Sequence, residues 1–123
     1  MLERILYVDD DEALTELAEL VLDMEGITLK ACHSGVAALE VAEAFAPQLI
    51  LLDREMPDMD GPATLAALRQ LTSLAAVPAI FMTAETDPVR VAELESLGAI
   101  AVLPKPIDPA TLADDLRAAF ANA

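Results

Sequence analysis

The chain has 123 residues, one cysteine, 22 acidic residues and 7 basic residues, which gives a formal net charge of −15. This length fits one domain with a single hydrophobic core, and one cysteine excludes an internal disulfide. The negative charge disfavours direct contact with nucleic acid or anionic lipid, and it favours a metal cation or a basic protein surface as partner.

Neither a membrane anchor nor a secretion signal is recognisable in the sequence. No apolar run approaches the roughly 20 residues that are needed to cross a bilayer. The first residues lack the charged and then apolar pattern of a signal peptide. We therefore expect a cytoplasmic protein that does not insert into membranes.

Five short apolar runs are predicted to form strands. The third run, Leu49–Leu52, is apolar at four consecutive positions, which is typical of a strand buried on both faces of a parallel sheet. In chain order, the predicted strands are 4–8, 27–31, 49–52, 79–82 and 100–103.

Five predicted helices alternate with these strands. In the first helix, apolar residues recur three and four positions apart, which predicts a buried stripe. The stripe consists of Leu14, Leu17, Ala18, Val21 and Leu22. Capping residues predict that the later helices begin at Ser34, Asp60, Asp87 and Asp108, the last together with Pro109.

The alternation of strands and helices predicts a flavodoxin-like α/β fold. This is a doubly wound sheet of five parallel strands in the order 2-1-3-4-5. We expect residues 1–123 to form this one domain, with no effector or DNA-binding domain in the chain.

Three carboxylates follow two strands that are neighbours in this predicted sheet. Asp9 and Asp10 follow the first strand, and Asp53 follows the third. These strands flank the crevice in which ligands bind, so the three side chains should converge. Because the carboxylates repel one another, the cluster implies a cation. Oxygen ligands without His or Cys favour magnesium, with manganese as the alternative.

The fourth and fifth strands bring Thr83 and Lys105 to the same edge. A hydroxyl group and an ammonium group can stabilise the oxygens of a phosphoryl group. Together with a carboxylate nucleophile and a divalent cation, they favour phosphorylation of Asp53 as a mixed anhydride.

Over its whole length the chain resembles the receiver domain of two-component response regulators, and its layout is similar to that of the single-domain chemotaxis regulator. Four segments carry the resemblance: YVDDD, LLDREMPDMDG, FMTAE and PKP, each at the end of a predicted strand. The resemblance implies phosphorelay signal transduction. In this function Asp53 takes a phosphoryl group from the phosphohistidine of a histidine kinase or a histidine phosphotransfer protein.

The resemblance also implies how the metal is held. Asp10, Asp53 and the main-chain carbonyl of Glu55 would bind magnesium, and Asp9 would act through water. Thr83 and Lys105 would contact the phosphoryl oxygens.

Further implications concern the switch. The peptide bond between Lys105 and Pro106 would be cis, and the downstream target would bind the face formed by the fourth helix, the fifth strand and the fifth helix. An aromatic residue normally stands three positions before the lysine, but here that position is Val102. Glu55 and Glu85 occupy positions that tune dephosphorylation, where they would orient water, attract a basic group of a partner or repel phosphate.

The sequence favours a module that catalyses only its own phosphorylation and dephosphorylation and is not an enzyme for outside substrates, and it leaves two alternatives. A small phosphatase or phosphotransferase would use Asp53 as a transient nucleophile, but it would need a substrate cap or long loops. A degenerate receiver would be a phosphorylation-independent protein-binding scaffold, which the intact set of site residues disfavours and Val102 leaves open. His33 and Cys32 are expected to have ordinary surface and packing roles.

Overall fold

The computed structural model describes all residues from 1 to 123. Its centre is a parallel sheet of five strands in the order β2-β1-β3-β4-β5, which confirms the predicted topology. The strands are β1 (Arg4–Val8), β2 (Thr28–Cys32), β3 (Leu49–Asp53), β4 (Ala79–Thr83) and β5 (Ala101–Pro104). The helices are α1 (Glu12–Asp23), α2 (Gly35–Phe45), α3 (Gly61–Arg69), α4 (Pro88–Ser96) and α5 (Leu112–Ala121). None of these helices is both long enough and apolar enough to span a bilayer.

The hydrophobic core forms two layers, one on each face of the sheet. Successive strand residues point to opposite faces. In β1, therefore, Ile5 and Tyr7 enter the layer that is covered by α1 and α5. Leu6 and Val8 enter the layer that is covered by α2, α3 and α4. The central strand β3 is buried at all of its positions, as its unbroken apolar run predicts.

The predicted caps of three helices are confirmed. The side chains of Ser34, Asp60 and Asp87 each accept a hydrogen bond from a backbone N–H in the first turn of the helix that follows. These bonds satisfy backbone donors that the helix itself leaves free.

The predicted start of the last helix is wrong by about one turn, because α5 begins at Leu112. The Asp108 carboxylate accepts a hydrogen bond from the N–H of Ala110 at 2.9 Å, and its carbonyl accepts one from the N–H of Leu112 at 3.0 Å. These bonds close a separate turn before the helix.

The predicted stripe of α1 is confirmed for Ala18 and Leu22 and wrong for Leu17. Leu17 is 37% exposed, whereas Thr15 is only 1% exposed. The Thr15 hydroxyl donates to the carbonyl of Glu12 at 3.0 Å and lies 3.0 Å from Nε2 of His33. A polar side chain can be buried at this position because its hydrogen bonds are satisfied.

Candidate functional site

Four strands bring polar side chains to one edge of the sheet. Val8 is in register with Leu52, Asp53 with Met82, and Thr83 with Pro104. The carboxyl ends of these four strands therefore lie side by side. Asp9, Asp53, Thr83 and Lys105 meet there in the way that the sequence predicts.

Asp9, Asp10 and Asp53 form a carboxylate cluster. Each contributes one oxygen atom to a group in which all atoms lie within 4.8 Å of one another. Asp9 is fully buried, Asp53 is 5% exposed, and Asp10 is exposed to solvent. The cluster thus opens to solvent on the side of Asp10.

Lys105 joins two members of the cluster. Its Nζ atom lies 3.0 Å from Oδ2 of Asp9 and 3.0 Å from Oδ1 of Asp53. Burial lowers the pKa of Lys105, but the hydrogen bonds and charges of Asp9 and Asp53 outweigh burial and raise this pKa above its ordinary value. The ammonium group is therefore charged and shared between the two carboxylates.

Tyr7 also belongs to the site, although the sequence analysis assigned it no role. Its hydroxyl group donates a hydrogen bond of 2.7 Å to Oδ2 of Asp9. Burial, together with the hydrogen bond to Asp9 and its charge, raises the pKa of Tyr7, so the hydroxyl stays protonated. The two-residue period of a strand could have revealed this contact, because Asp9 directly follows β1 and stands two positions after Tyr7, which places both on the same side of the sheet.

The two oxygens of Asp53 have different surroundings. Oδ1 faces Lys105 and accepts a 3.4 Å hydrogen bond from the N–H of Glu55. Oδ2 takes no hydrogen bond from the protein, but it is not fully buried, so solvent can reach it. Burial raises the pKa of Asp53 to about 6; the Lys105 hydrogen bond opposes this rise and the charge of Asp9 adds to it.

Gly61 allows the first turn of α3 to lie against the backbone of Asp53. A Cβ atom at this position would come within 2.4 Å of the Asp53 carbonyl oxygen and 3.0 Å of Cα of Arg54. The N–H of Gly61 donates to the carbonyl of Arg54 at 2.9 Å. Only glycine fits this close approach without a backbone shift.

Thr83 is 3% exposed, and its hydroxyl oxygen accepts a 3.0 Å hydrogen bond from the N–H of Glu85. Its hydroxyl proton remains free to donate. The carboxylate of Glu85 accepts a bond from the N–H of Asp87 at 3.0 Å and lies 3.5 Å from Arg90. The hydrogen bond from Asp87 lowers the pKa of Glu85. These contacts join Thr83 to the beginning of α4 and do not involve Val102.

Three groups in this region have oxygen atoms that take no hydrogen bond from the protein and could bind a hard divalent cation. Asp10 accepts no hydrogen bond from the protein, Asp53 has its free Oδ2, and no donor is bonded to the carbonyl of Glu55. Asp9 differs, because Asp11 N–H, Tyr7 and Lys105 already donate to it. This set of donors fits magnesium, with waters completing its coordination.

Three other features of this region were considered in the sequence: the Lys105–Pro106 peptide bond, Val102 and Glu55. The Lys105–Pro106 peptide is cis. Val102 is half-buried and pairs with Phe81 of β4. Glu55 is exposed and forms a surface ion pair with Arg54 at 3.2 Å, which contributes little stability.

His33 and Cys32 lie at the carboxyl end of β2, outside the carboxylate cluster. His33 is exposed and contacts Thr15, whereas Cys32 is 5% exposed within the core. Burial raises the pKa of the Cys32 thiol, with Lys30 opposing the rise. Neither residue joins the site, as expected.

A comparison with known protein families identifies the class of this domain. The family model described as the response regulator receiver domain matches residues 5–117. The chain belongs to this family. It is therefore a receiver domain of two-component response regulators, a signalling domain.

Curated relatives of this receiver domain are longer proteins. The DNA-binding response regulator MtrA of Mycobacterium tuberculosis is 36% identical over 118 residues, which are 96% of this chain and 50% of the relative. The transcriptional regulatory protein CpxR of Escherichia coli K12 is 41% identical over 118 residues, which are 95% of this chain and 49% of the relative. The chain spans about half the length of these relatives.

Solved structures of other receiver domains have the same fold. Chemotaxis protein CheY4 of Vibrio cholerae superposes with a TM-score of 0.88 at 28% identity, and the match covers 97% of this chain and 99% of that one. The receiver domain of a histidine kinase from Syntrophus aciditrophicus gives a TM-score of 0.83 at 27% identity, with coverages of 98% and 92%. Both structures match this chain over nearly its whole length.

Proposed function

We propose that this receiver domain accepts a phosphoryl group on Asp53 from the phosphohistidine of a histidine kinase or a histidine phosphotransfer protein. The observation that carries the proposal is the arrangement around Asp53. One of its oxygens is held by Lys105, the other takes no hydrogen bond from the protein, and the carboxylates of Asp9 and Asp10 lie close by in the same cluster. This arrangement supports a nucleophile that is oriented but not blocked.

Magnesium is the proposed cofactor, with manganese as the alternative. Asp10, the Asp53 carboxylate and the carbonyl of Glu55 would hold the ion directly. Asp9 would bind it through water, since its oxygens already have protein donors. When bound, the ion would neutralise negative charge on the carboxylates and on the incoming phosphoryl group.

Asp53 would attack in line with the departing histidine nitrogen. A bond forms between a carboxylate oxygen of Asp53 and phosphorus as the bond between phosphorus and nitrogen breaks, and the electron pair stays on the imidazole. The equatorial oxygens gain protein donors, namely the Lys105 ammonium and the Thr83 hydroxyl. Because the product remains on Asp53, the domain changes its own state and turns over no outside substrate except its donor.

The wider role follows from the same proposal. Residues 1–123 would act as a single receiver module in the cytoplasm, and the phosphorylated form would bind a protein target through the face of α4, β5 and α5. The charge of −15 supports a protein partner with basic groups and disfavours direct binding of nucleic acid by this domain.

The experiment that tests this function is intact-mass spectrometry after incubation with magnesium and acetyl phosphate or a phosphorylated histidine phosphotransfer protein. We expect one added phosphoryl group, and we expect it to be absent in Asp53→Ala and after chelation of the metal. Asp58→Asn is the matched control, because it removes an exposed carboxylate from the same loop and asparagine tolerates the left-handed backbone of Asp58, which has a φ angle of 67°. No adduct on the normal chain with either donor would refute the proposal and make the phosphorylation-independent scaffold the better explanation.

A further inference from the structure

Tyr7 reaches the carboxylate cluster from the core of the protein. The whole residue is buried, and its hydroxyl group donates to Oδ2 of Asp9 at 2.7 Å. The ring packs in the layer between the sheet and helices α1 and α5. Both the position and the direction of this hydroxyl are therefore fixed by the core, not by the solvent side of the site.

Two donors share the same oxygen of Asp9. The Lys105 ammonium lies 3.0 Å from Oδ2, which also accepts the Tyr7 hydrogen bond, while Oδ1 accepts a bond from the N–H of Asp11 at 3.0 Å. A buried carboxylate oxygen that loses its last donor is left unsatisfied, which costs free energy. Because of Tyr7, Oδ2 keeps one donor even when Lys105 moves away.

Lys105 also contacts Asp53. Its ammonium group is also 3.0 Å from Oδ1 of Asp53, the residue that would carry the phosphoryl group. Phosphoryl oxygens on Asp53 would draw the ammonium group from Asp9 towards them. Without the Tyr7 hydroxyl, this movement would leave Oδ2 of Asp9 with no donor from the protein, and Lys105 would be held back.

We propose that Tyr7 is a positioning residue: by satisfying Oδ2 of Asp9, its hydroxyl group releases Lys105 to contact the phosphoryl group on Asp53. This inference rests on the function proposed above. It assigns a role within the reaction to a side chain that touches neither the phosphoryl group nor the metal.

The first test compares Tyr7→Phe, which removes only the hydroxyl group, with Thr15→Val, which removes a buried hydroxyl group outside the site. We expect Tyr7→Phe to slow phosphorylation at saturating acetyl phosphate by about tenfold, the usual scale for a residue that orients a site residue. The magnesium concentration for half-saturation should change less than this rate. Thr15→Val should keep the normal rate, and a normal rate in Tyr7→Phe would overturn the inference.

The second test reads Lys105 directly. The chain has only two lysines, Lys30 and Lys105. Labelling with 15N-lysine therefore gives two side-chain nitrogen signals, and the exposed Lys30 serves as the reference. In metal-free protein, we expect the Lys105 signal to shift in Tyr7→Phe and to stay unchanged in Thr15→Val. Beryllofluoride with magnesium should move the Lys105 signal less in Tyr7→Phe than in the normal chain, and equal movement would overturn the inference.

The wild-type protein provides a measurement that needs no variant. Tyr7 is the only tyrosine and there is no tryptophan, so the near-ultraviolet band reports this hydroxyl group. The band should keep its hydrogen-bonded position after beryllofluoride binds, and loss of that position would contradict the role of Tyr7.

Failure of the two proposals can be distinguished. If the normal chain accepts no phosphoryl group from either donor, the proposed function fails and the role of Tyr7 fails with it. If the normal chain accepts the group, and Tyr7→Phe accepts it at the same rate, only the inference about Tyr7 fails.

Discussion

At the scale of single residues, the two buried carboxylates of the site differ in how well hydrogen bonds and positive charge compensate for their burial. Asp9 is fully buried but has three donors, from Tyr7, Asp11 and Lys105. Asp53 has donors on one oxygen only. Its pKa is raised because burial removes more hydration than Lys105 replaces. The negative charge of Asp53 therefore destabilises the metal-free folded protein.

This destabilisation predicts that Asp53→Asn stabilises the metal-free protein at neutral pH. The pKa of Asp53 rises from 3.8 to about 6 on folding, so between these values the folded protein holds a proton that the unfolded chain has lost. The free energy of unfolding contributed by this group therefore falls as pH rises through that window and stays low above it. With about 1.4 kcal/mol for each pKa unit and some loss of the Lys105 contact, we expect a gain of about 1 to 3 kcal/mol at pH 7.

Urea unfolding in the presence of a chelator, at several pH values from about 4 to 7.5, measures this effect against the expected window. Asp58→Asn is the control, because it removes the same charge from an exposed position in the same loop. The difference between the normal chain and Asp53→Asn should grow as pH rises. A difference that does not depend on pH would show that burial of Asp53 is not the cause.

At the scale of elements, periodicity in the sequence was sufficient for the sheet but not for every helix. Parallel strands covered on both faces are apolar throughout, so the burial of β3 could be predicted from Leu49–Leu52. The strand order could be predicted from the alternation of strands and helices. The start of α5 could not, because Asp108 uses its side chain to form a turn that looks like a cap. Burial of Thr15 depends on its contact with His33, which is distant in sequence.

The site was predictable to the same extent. Four residues at or directly after the ends of strands could be predicted from the topology alone, namely Asp9, Asp53, Thr83 and Lys105. Gly61 was missed as a site residue, because its importance lies in contact with the backbone of Asp53 and not in any chemical group.

Gly61 gives the prediction at this scale. In Gly61→Ala the new Cβ atom would clash with the Asp53 carbonyl, so the loop after β3 and the start of α3 must separate. Such overpacking typically costs about 1 to 3 kcal/mol. Because the shift displaces Asp53, we also expect a smaller rise in melting temperature on addition of magnesium than in the normal chain.

Gly98→Ala is the matched control for this substitution. Gly98 has a φ angle of 98°, so alanine is strained there, but nothing lies within 4 Å of the added Cβ atom. Both variants should lose stability in chelator, as measured by thermal unfolding. Only Gly61→Ala should also lose part of its magnesium response, and a full response in this variant would contradict the close fit between α3 and the site.

At the scale of the whole molecule, the charge of −15 makes every cation weakly stabilising, because any counterion screens repulsion among the acidic side chains. A specific magnesium site must therefore be separated from this general effect. The distinction is one of geometry: Asp10 lies within the carboxylate cluster, whereas Glu16 is an exposed residue of α1 outside it.

We accordingly predict that magnesium raises the melting temperature of the normal chain more than sodium chloride of equal ionic strength does. A ligand that binds only the folded state adds RT ln(1 + [L]/Kd), or about 2.7 kcal/mol at one hundred times Kd. Asp10→Ala removes a carboxylate that has no other partner in the protein, so it should lose most of this specific rise. Glu16→Ala changes the net charge equally and should keep the full rise. Differential scanning calorimetry of the three proteins in both salts decides between the alternatives, because equal responses in Asp10→Ala and Glu16→Ala would mean that magnesium acts only by screening.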